Sequence, residues 1–175
     1  MNRRDPLENP APLIRRVYAY IAYRIGDGPD AEDVTNDVFE RALRYRESYD
    51  ATRGAPLPWL LGIARRCIDD LGRKPGPTFQ LEEDERATPE DVASEAIQRL
   101  SLSAAVGRLD DRSRDLLALR FGADLSARAI GEVLGLKTNA VEVALHRTLG
   151  RLRSDLEQDD QEEGLRIAPT PDISN

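Results

Sequence analysis

The sequence is poor in the residues from which most catalytic and metal sites are built. Cys67 is the only cysteine and His146 the only histidine among 175 residues. One cysteine excludes an internal disulfide, and one cysteine with one histidine does not supply an ordinary zinc ligand set. A glycine-rich phosphate loop is absent as well. The sequence therefore predicts a protein that is not an enzyme and that needs no metal and no cofactor.

Long apolar runs and a secretory leader are also missing. No stretch is apolar over the roughly 20 residues that a helix needs to cross a bilayer, and residues 1–5 do not begin like a signal peptide. Cys67 lies among apolar residues in a helical pattern, which predicts a buried structural thiol in a reducing compartment. We therefore expect a cytoplasmic protein without membrane insertion.

The net charge of −7 is unevenly distributed along the chain. Residues 82–95 hold seven acidic residues against one arginine, and residues 154–175 show the same balance. Removing these two segments leaves a surplus of five positive charges on the rest of the chain. The folded parts are therefore predicted to be mildly basic, which is compatible with binding to nucleic acid.

Apolar residues recur at helical spacing in the N-terminal half, and no strand-like alternation stands out. The first helix ends at a Gly-Asp-Gly-Pro turn, after which Asp30 is the expected cap of a second helix. A third helix is expected to end at Gly72. The apolar stripes of the three helices contain Leu13, Ile14, Val17, Ile21 and Ile25; Val34, Val38, Ala42 and Tyr45; and Leu57, Leu60, Leu61, Ala64, Ile68 and Leu71. The fold is predicted to be all-α.

An acidic stretch without periodicity predicts a flexible linker over residues 75–94. Within it, Thr88 and Pro89 give a helix-start signal, since a threonine cap precedes proline at the first helical position. Residues 156–175 contain many acids and two prolines, which predicts a disordered acidic tail. The sequence therefore predicts two small helical domains, over residues 10–74 and 95–155.

The second domain carries a helix-turn-helix pattern over residues 126–153. Gly135 follows the first helix where a left-handed residue ends a helix, and Leu136 can fill the joint. Thr138 is the predicted N-cap of the second helix. The inward face of that helix would contain Val141, Leu145, Leu149 and Leu152. Such helix pairs place a helix in the DNA major groove in many proteins, although charged helical hairpins without that function are common.

Two regions together resemble one family, the extracytoplasmic-function (ECF) sigma factors of bacterial RNA polymerase, in the minimal form with conserved regions two and four. Residues 30–39 resemble the family's region-two helix. Leu57-Pro58-Trp59-Leu60 is similar to the family's motif of an aromatic residue with Trp-Leu. Residues 64–73 resemble the helix that faces the promoter. Leu134-Gly135-Leu136 and Leu145-His146-Arg147 resemble region four.

The resemblance implies one site for core polymerase and two for promoter DNA. The residues that would bind core polymerase are Asp30, Glu32, Asp33, Asn36, Asp37 and Phe39. Those that would meet the minus-ten element are Arg53, Trp59, Arg65, Arg66, Arg73 and Lys74. Those that would read the minus-thirty-five element are Lys137, Thr138, Asn139, Glu142, His146, Arg147 and Arg151. An anti-sigma factor is a further implied partner, and the free chain is expected to be a monomer.

Several of these assignments have a purely structural alternative. The acids at the start of the second helix could only complement the helix dipole and stay solvated. Trp59 stands at a leucine-rich helix start, where tryptophan is usually a core residue, so we expect it to shape the site. Arg151 could contact phosphate or could only complement the end of its helix.

The chain also departs from the family's usual pattern. Asn36 stands where a glutamine is usual, and Arg66 stands where an asparagine is usual. Ala129 replaces a glutamate that would complete a capping box with Ser126. Glu142 occupies a position that is commonly basic, so the second helix is expected to bind the major groove weakly by itself. Glu142 could instead accept a hydrogen bond from a cytosine amino group.

The predicted function is that of a sigma factor, which binds core RNA polymerase and directs promoter-specific initiation through the two promoter elements. A free-standing helix-turn-helix regulator is the alternative, and an all-α adaptor that binds only proteins is a third reading. The free-standing regulator leaves the acidic and then basic organisation of the first domain unexplained, and the adaptor predicts no affinity for DNA.

Overall fold

The computed structural model of the chain describes residues 5–72 and 89–167. Within these ranges it contains seven α-helices and no strand, which confirms the all-α prediction. The helices are α1 (Pro10–Ile25), α2 (Pro29–Arg44), α3 (Pro56–Leu71), α4 (Pro89–Arg108), α5 (Asp111–Leu117), α6 (Ala127–Leu134) and α7 (Thr138–Ile167). Among the described helices, none combines the length with the apolar composition that a membrane-spanning segment requires.

The first three helices form the N-terminal module, residues 5–72. Each begins with proline, which suits a helix start because proline has no backbone N–H that would be left without an acceptor there. Helix α2 begins two residues earlier than expected, with Gly28 as its N-cap. Asp30 is therefore not the cap but lies in the first turn, where a carboxylate is favourable near the helix dipole. Helix α3 ends at Leu71 and is followed by Gly72 as its C-cap, with φ 77°, which agrees with the predicted end of this helix.

The boundaries of the linker and tail differ from the sequence prediction. Helix α4 begins at Pro89, so residues 89–94 are helical, and residues 75–88 of the predicted linker lie outside the described residues. Helix α7 continues to Ile167, so residues 156–167 are helical and not disordered. The guanidinium of Arg108 on α4 lies 2.7 Å from Asp159 and 4.0 Å from Asp155. These ion pairs join α4 to the C-terminal half of α7.

The predicted inward faces are largely correct, with errors at their edges. Val17 and Ile21 are fully buried, whereas Ile14 is 43% exposed and Tyr45 is 55% exposed. On α7, Thr148 is buried where Leu149 was expected, and its Oγ1 lies 3.4 Å from the Ser113 hydroxyl of α5. Val141 and Leu145 are buried as predicted, so the error on this face is confined to position 149.

The two modules pack against each other and share a hydrophobic core. Helix α1 packs against a π-helical turn, Ala118–Gly122, that follows α5, and α3 contacts α6. A Cβ added to Gly122 would lie 2.8 Å from the carbonyl oxygen of Ala19, so only glycine permits this approach. Residues 89–167, the C-terminal module, are therefore docked on the N-terminal module.

Candidate functional site

Helix α2 presents a polar, mostly acidic face to solvent. Its opposite face is buried through Ala31, Val34, Thr35, Val38 and Ala42. The exposed side chains belong to Asp30, Glu32, Asp33 and Asn36. This arrangement brings four of the six predicted core-binding residues onto one accessible surface.

The other two predicted core-binding residues, Asp37 and Phe39, make contacts within the N-terminal module. Asp37 pairs with Arg41 at 2.9 Å, and Arg41 also reaches Asp70 of α3 at 2.9 Å. Phe39 packs against the hydrophobic core and is half-buried. The ion pair gives Asp37 a structural role that its position in the sequence did not reveal.

The predicted minus-ten residues are not gathered into one cationic group by the described part of the structure. Arg66 is exposed on α3, but Arg65 is turned toward the C-terminal module, where its Nε lies 3.1 Å from Asp115. The side chain of Arg53 and the whole of Arg73 and Lys74 lie outside the described residues.

Trp59 shapes the loop that precedes α3. Its ring packs partly against the core and stands tilted to the ring of Tyr49, with centroids 5.5 Å apart. The Tyr49 hydroxyl donates to the carbonyl oxygen of Gly54 at 2.8 Å, and Asp50 accepts from the backbone N–H of Thr52. Trp59 thus anchors a loop whose backbone is held by its own polar groups.

The helix-turn-helix forms as the sequence predicts. Ser126 caps α6 by accepting from the backbone N–H of Ala129. Gly135 is left-handed with φ 68° and ψ 32°, and its N–H and that of Leu136 both donate to the carbonyl oxygen of Gly131. These two bonds satisfy the end of α6 and set the angle at which α7 leaves the turn. Helix α7 begins at Thr138 itself, one residue before the position expected from a Thr138 cap.

All seven predicted minus-thirty-five residues are exposed along the first half of α7 or just before it. Val141 and Leu145 hold the opposite face against the core. Lys137, Asn139, Arg147 and Arg151 line a groove of about 560 Å³ between α5 and α7. This groove is cationic at its rim, although Asp110 lies 3.6 Å from Arg151 and offsets part of that charge.

Arg112 of α5 also lines this groove, and the sequence patterns did not point to it. It is exposed and stands opposite the predicted recognition face of α7. Only the packing of α5 against α7 brings Arg112 to this groove, so no periodicity within one helix could have identified it.

A second group missed by the sequence patterns is the Asp115 cluster, formed by Asp115, Tyr20, Arg24 and Arg65. The Tyr20 hydroxyl donates to Asp115 at 2.6 Å, while Arg65 and Arg24 lie 3.1 and 3.9 Å from the same carboxylate. Burial, together with the Asp115 charge, raises the pKa of Tyr20 well above its usual range, so the hydroxyl keeps its proton. The cluster joins the two modules through one carboxylate.

Cys67 is 3% exposed, as the sequence predicted. Burial, with the nearby carboxylate of Asp37 as a second cause, raises the pKa of the Cys67 thiol to about 11. Among the described residues, no group of three or more histidine, cysteine and carboxylate side chains could hold a metal ion.

Comparisons with known proteins define the class first. The sequence profile of Sigma-70 region 2 matches residues 12–75, and that of Sigma-70 region 4 matches residues 105–154. Two solved structures have a similar fold. CnrH in complex with the cytosolic domain of CnrY has a TM-score of 0.59 at 22% identity, covering 85% of this chain and 82% of that one. The sigma factor RpoE with the anti-sigma factor NepR from Bartonella quintana has a TM-score of 0.62 at 15% identity, covering 83% and 92%.

The chain belongs to the ECF RNA polymerase sigma factors. It is 32% identical over 169 residues to the ECF sigma factor SigD of Mycobacterium tuberculosis, a match that covers 87% of this chain and 76% of SigD. It is 33% identical over 150 residues to BldN of Streptomyces coelicolor, covering 79% of this chain. That match spans only 56% of BldN.

Proposed function

We propose that this chain binds bacterial core RNA polymerase through the outer face of α2 and directs initiation by contacting promoter DNA with α3 and α7. It performs no catalytic step of its own and acts inside the cell on the polymerase and the promoter. An anti-sigma factor is a further partner, by analogy with the RpoE–NepR complex.

The observation that carries this proposal is the separation of the acidic and the cationic surfaces. Asp30, Glu32, Asp33 and Asn36 stand together in solvent on α2. The helix dipole accounts for acids in the first turn, but Asn36 lies two turns in and carries no charge for a dipole to attract. A polar exposed face of this kind fits a docking surface for a protein partner.

The proposed DNA surfaces follow from exposure and charge. Arg66 on α3 and Lys137, Asn139 and Arg147 at α7 are accessible to a duplex. Cations hold phosphate and set the register, whereas amide and acidic side chains such as Asn139 and Glu142 can read base edges. Arg112 adds a further cation beside α7 for the phosphate backbone.

Run-off transcription tests the proposal with bacterial core polymerase and sheared genomic DNA of the source, with and without this protein. We expect discrete new transcripts that disappear when Asp33 and Asn36 are both changed to alanine. Glu47→Ala is the matched control, since Glu47 is an exposed acid of the same module outside α2.

The possible outcomes separate the candidate functions. Transcripts lost in the Asp33 and Asn36 variant and retained in the control support the sigma-factor proposal. Footprints by the protein alone without new transcripts would support a free-standing regulator, and neither signal from a folded protein would support an adaptor.

A further inference from the structure

An exposed valine stands in the groove between α5 and α7. Val143 is 43% exposed and lines this groove, whereas the buried face of α7 is formed through Val141 and Leu145. Two residues along a helix turn the side chain by about 200°, so Val143 points away from the core while Val141 points into it. Core packing therefore does not explain a branched apolar side chain at this position.

Val143 lies in one row with two polar residues of α7. Asn139, Val143 and Arg147 are spaced by four residues, and all three line the groove. Side chains at this spacing project from the same side of a helix, about 6 Å apart along its axis. A helix in the major groove brings such a row to neighbouring base pairs, which are about 3.4 Å apart.

The surface around Val143 is apolar, although the groove itself is cationic. Ala140 and Ala144 line the groove beside it, and neither side chain extends beyond its Cβ. The described charged residues of the lining are four cations and one acid, namely Arg112, Lys137, Arg147, Arg151 and Asp110. A cationic rim around a small apolar centre fits DNA, because phosphates pair with the cations while a base edge can meet the valine.

The base edges of the major groove offer valine one apolar partner, the C5 methyl group of thymine. The other groups on these edges are hydrogen-bond donors and acceptors, which a valine would desolvate without replacing their hydrogen bonds. A β-branched side chain in a helix is already restricted to one main rotamer, so the contact costs little side-chain entropy. Thymine is therefore the base that Val143 favours.

We propose that Val143 is a specificity-determining residue that contacts the C5 methyl group of a thymine in the DNA element bound by α7. The thymine lies within the tract between the base pairs that face Asn139 and Arg147. This inference deepens the DNA contact of α7 and rests on that part of the proposed function. It adds an apolar contact to the hydrogen bonds that Asn139 and Glu142 can make with base edges.

Replacement of thymine by uracil tests the contact, since it removes the methyl group and leaves the hydrogen-bonding groups in place. Duplexes are first selected from a pool of randomised DNA by the full-length chain, bound to core RNA polymerase in one arm and alone in the other. Each thymine of the enriched sequence is then replaced in turn by uracil, and the affinity is measured by fluorescence anisotropy. We expect uracil at one position to weaken binding by about fourfold, the factor that corresponds to one buried methyl group.

Variants of α7 assign this effect to one side chain. Val143→Ala should abolish the difference between thymine and uracil, and alanine is the better helix former, so the helix itself is not weakened. Val143→Ile keeps a β-branched apolar side chain and should retain the difference. Leu149→Ala is the matched control, because Leu149 is a 40% exposed apolar residue of α7 outside the described lining of the groove. It should bind the two duplexes with the parent's ratio.

Cytosine provides a second measurement of the same contact. The thymine position identified above is replaced by cytosine or by 5-methylcytosine, which differ only in the methyl group at C5. The parent protein should bind the methylated duplex about fourfold more tightly, and Val143→Ala should bind both equally.

Each outcome supports or overturns the role of Val143. A uracil effect that persists in Val143→Ala, no uracil effect at any position, or no enriched sequence in either arm would overturn it. Promoter-directed transcription without a methyl effect would leave the proposed function in place and reject this role. A Val143-dependent methyl effect for the chain alone, without transcription by core polymerase, would support the role and contradict the sigma-factor function.

Discussion

Arg65 lies on α3, the helix that resembles the promoter-facing helix of the family, and its Nε is 3.1 Å from the carboxylate of Asp115 in the other module. The Arg65 side chain is 40% exposed, whereas that of Asp115 is 8% exposed. One guanidinium group is thus shared between a predicted DNA surface and an intramolecular contact. If Arg65 contacts promoter phosphate as predicted, its pairing with Asp115 competes with that contact.

Removal of the Tyr20 hydroxyl should weaken the contact between the modules. Tyr20→Phe deletes the donor 2.6 Å from Asp115 but leaves the carboxylate buried, so we expect the unfolding free energy to fall by about 1–3 kcal/mol. Urea denaturation followed by circular dichroism measures this. Tyr45→Phe is the control, since Tyr45 is 55% exposed and should change stability by less than about 0.5 kcal/mol. Equal effects in the two variants would contradict a special role for the Tyr20 hydroxyl.

The turn of the helix-turn-helix should depend on glycine at position 135. Gly135 has φ 68°, so Gly135→Ala should destabilise the protein by about 1–2 kcal/mol, the strain of an alanine in a left-handed conformation. Gly150 lies inside α7 with open space around its Cα, so Gly150→Ala should stabilise by about 0.5–1 kcal/mol. Thermal unfolding of both variants checks the opposite signs, and a stabilising Gly135→Ala would exclude this turn geometry.

Glu142 should limit the affinity of α7 for DNA. Glu142→Lys removes an exposed acid and adds a cation among the predicted minus-thirty-five residues, so we expect tighter nonspecific duplex binding. The slope of log K against log salt should steepen by about one, corresponding to one added phosphate contact. Fluorescence anisotropy over a salt series provides both values.

The control for this prediction makes the same charge change elsewhere on α7. Glu157→Lys lies about 22 Å further along the helix, outside the predicted DNA surface. It should leave the salt dependence of duplex binding nearly unchanged. An identical response of the two variants would indicate that only net charge matters and that α7 has no defined DNA face.

The thiol of Cys67 should be unreactive toward alkylating reagents in the folded protein. Burial raises the pKa of its thiol to about 11, so the thiolate is on the order of one part in a thousand at pH 8, and the side chain is 3% exposed. We expect little alkylation by iodoacetamide in the native state and complete alkylation in urea. Glu47→Cys provides an exposed thiol for comparison, and rapid native reaction at Cys67 would show that α3 opens readily.

Local sequence signals were sufficient for most of the secondary structure. The prolines at the starts of the helices and the glycines at positions 72 and 135 act within one turn of their own position, so their effect can be predicted without tertiary contacts. The assignment of Asp30 as a cap was wrong by two residues, because Pro29 already begins the helix. The disordered tail was wrong up to Ile167, where α7 ends. The pairing of Arg108 on α4 with Asp159 on α7 is a tertiary contact that no local signal in the sequence indicates.

The residues of the candidate surfaces also fall into two groups, those that the sequence predicts and those that only tertiary contacts reveal. The residues on the outer faces of α2 and α7 follow from helical periodicity, because burial of the opposite face determines which side chains are exposed. Their roles at polymerase and promoter remain predictions. The internal pairing of Asp37 with Arg41 and Asp70 was not apparent from the sequence, nor was Arg112 beside α7.

The sequence by itself determined an all-α protein with two helical modules, a helix-turn-helix and membership in the ECF sigma-factor family, because helical periodicity, caps and motifs are local properties of the chain. Only the tertiary structure decided that the modules dock around Asp115. That carboxylate is separated from Tyr20 by 95 residues, and neither position carries a local signal of the other. The balance between burying these charges and solvating them depends on the packing of α1, α3 and α5, which no single segment encodes.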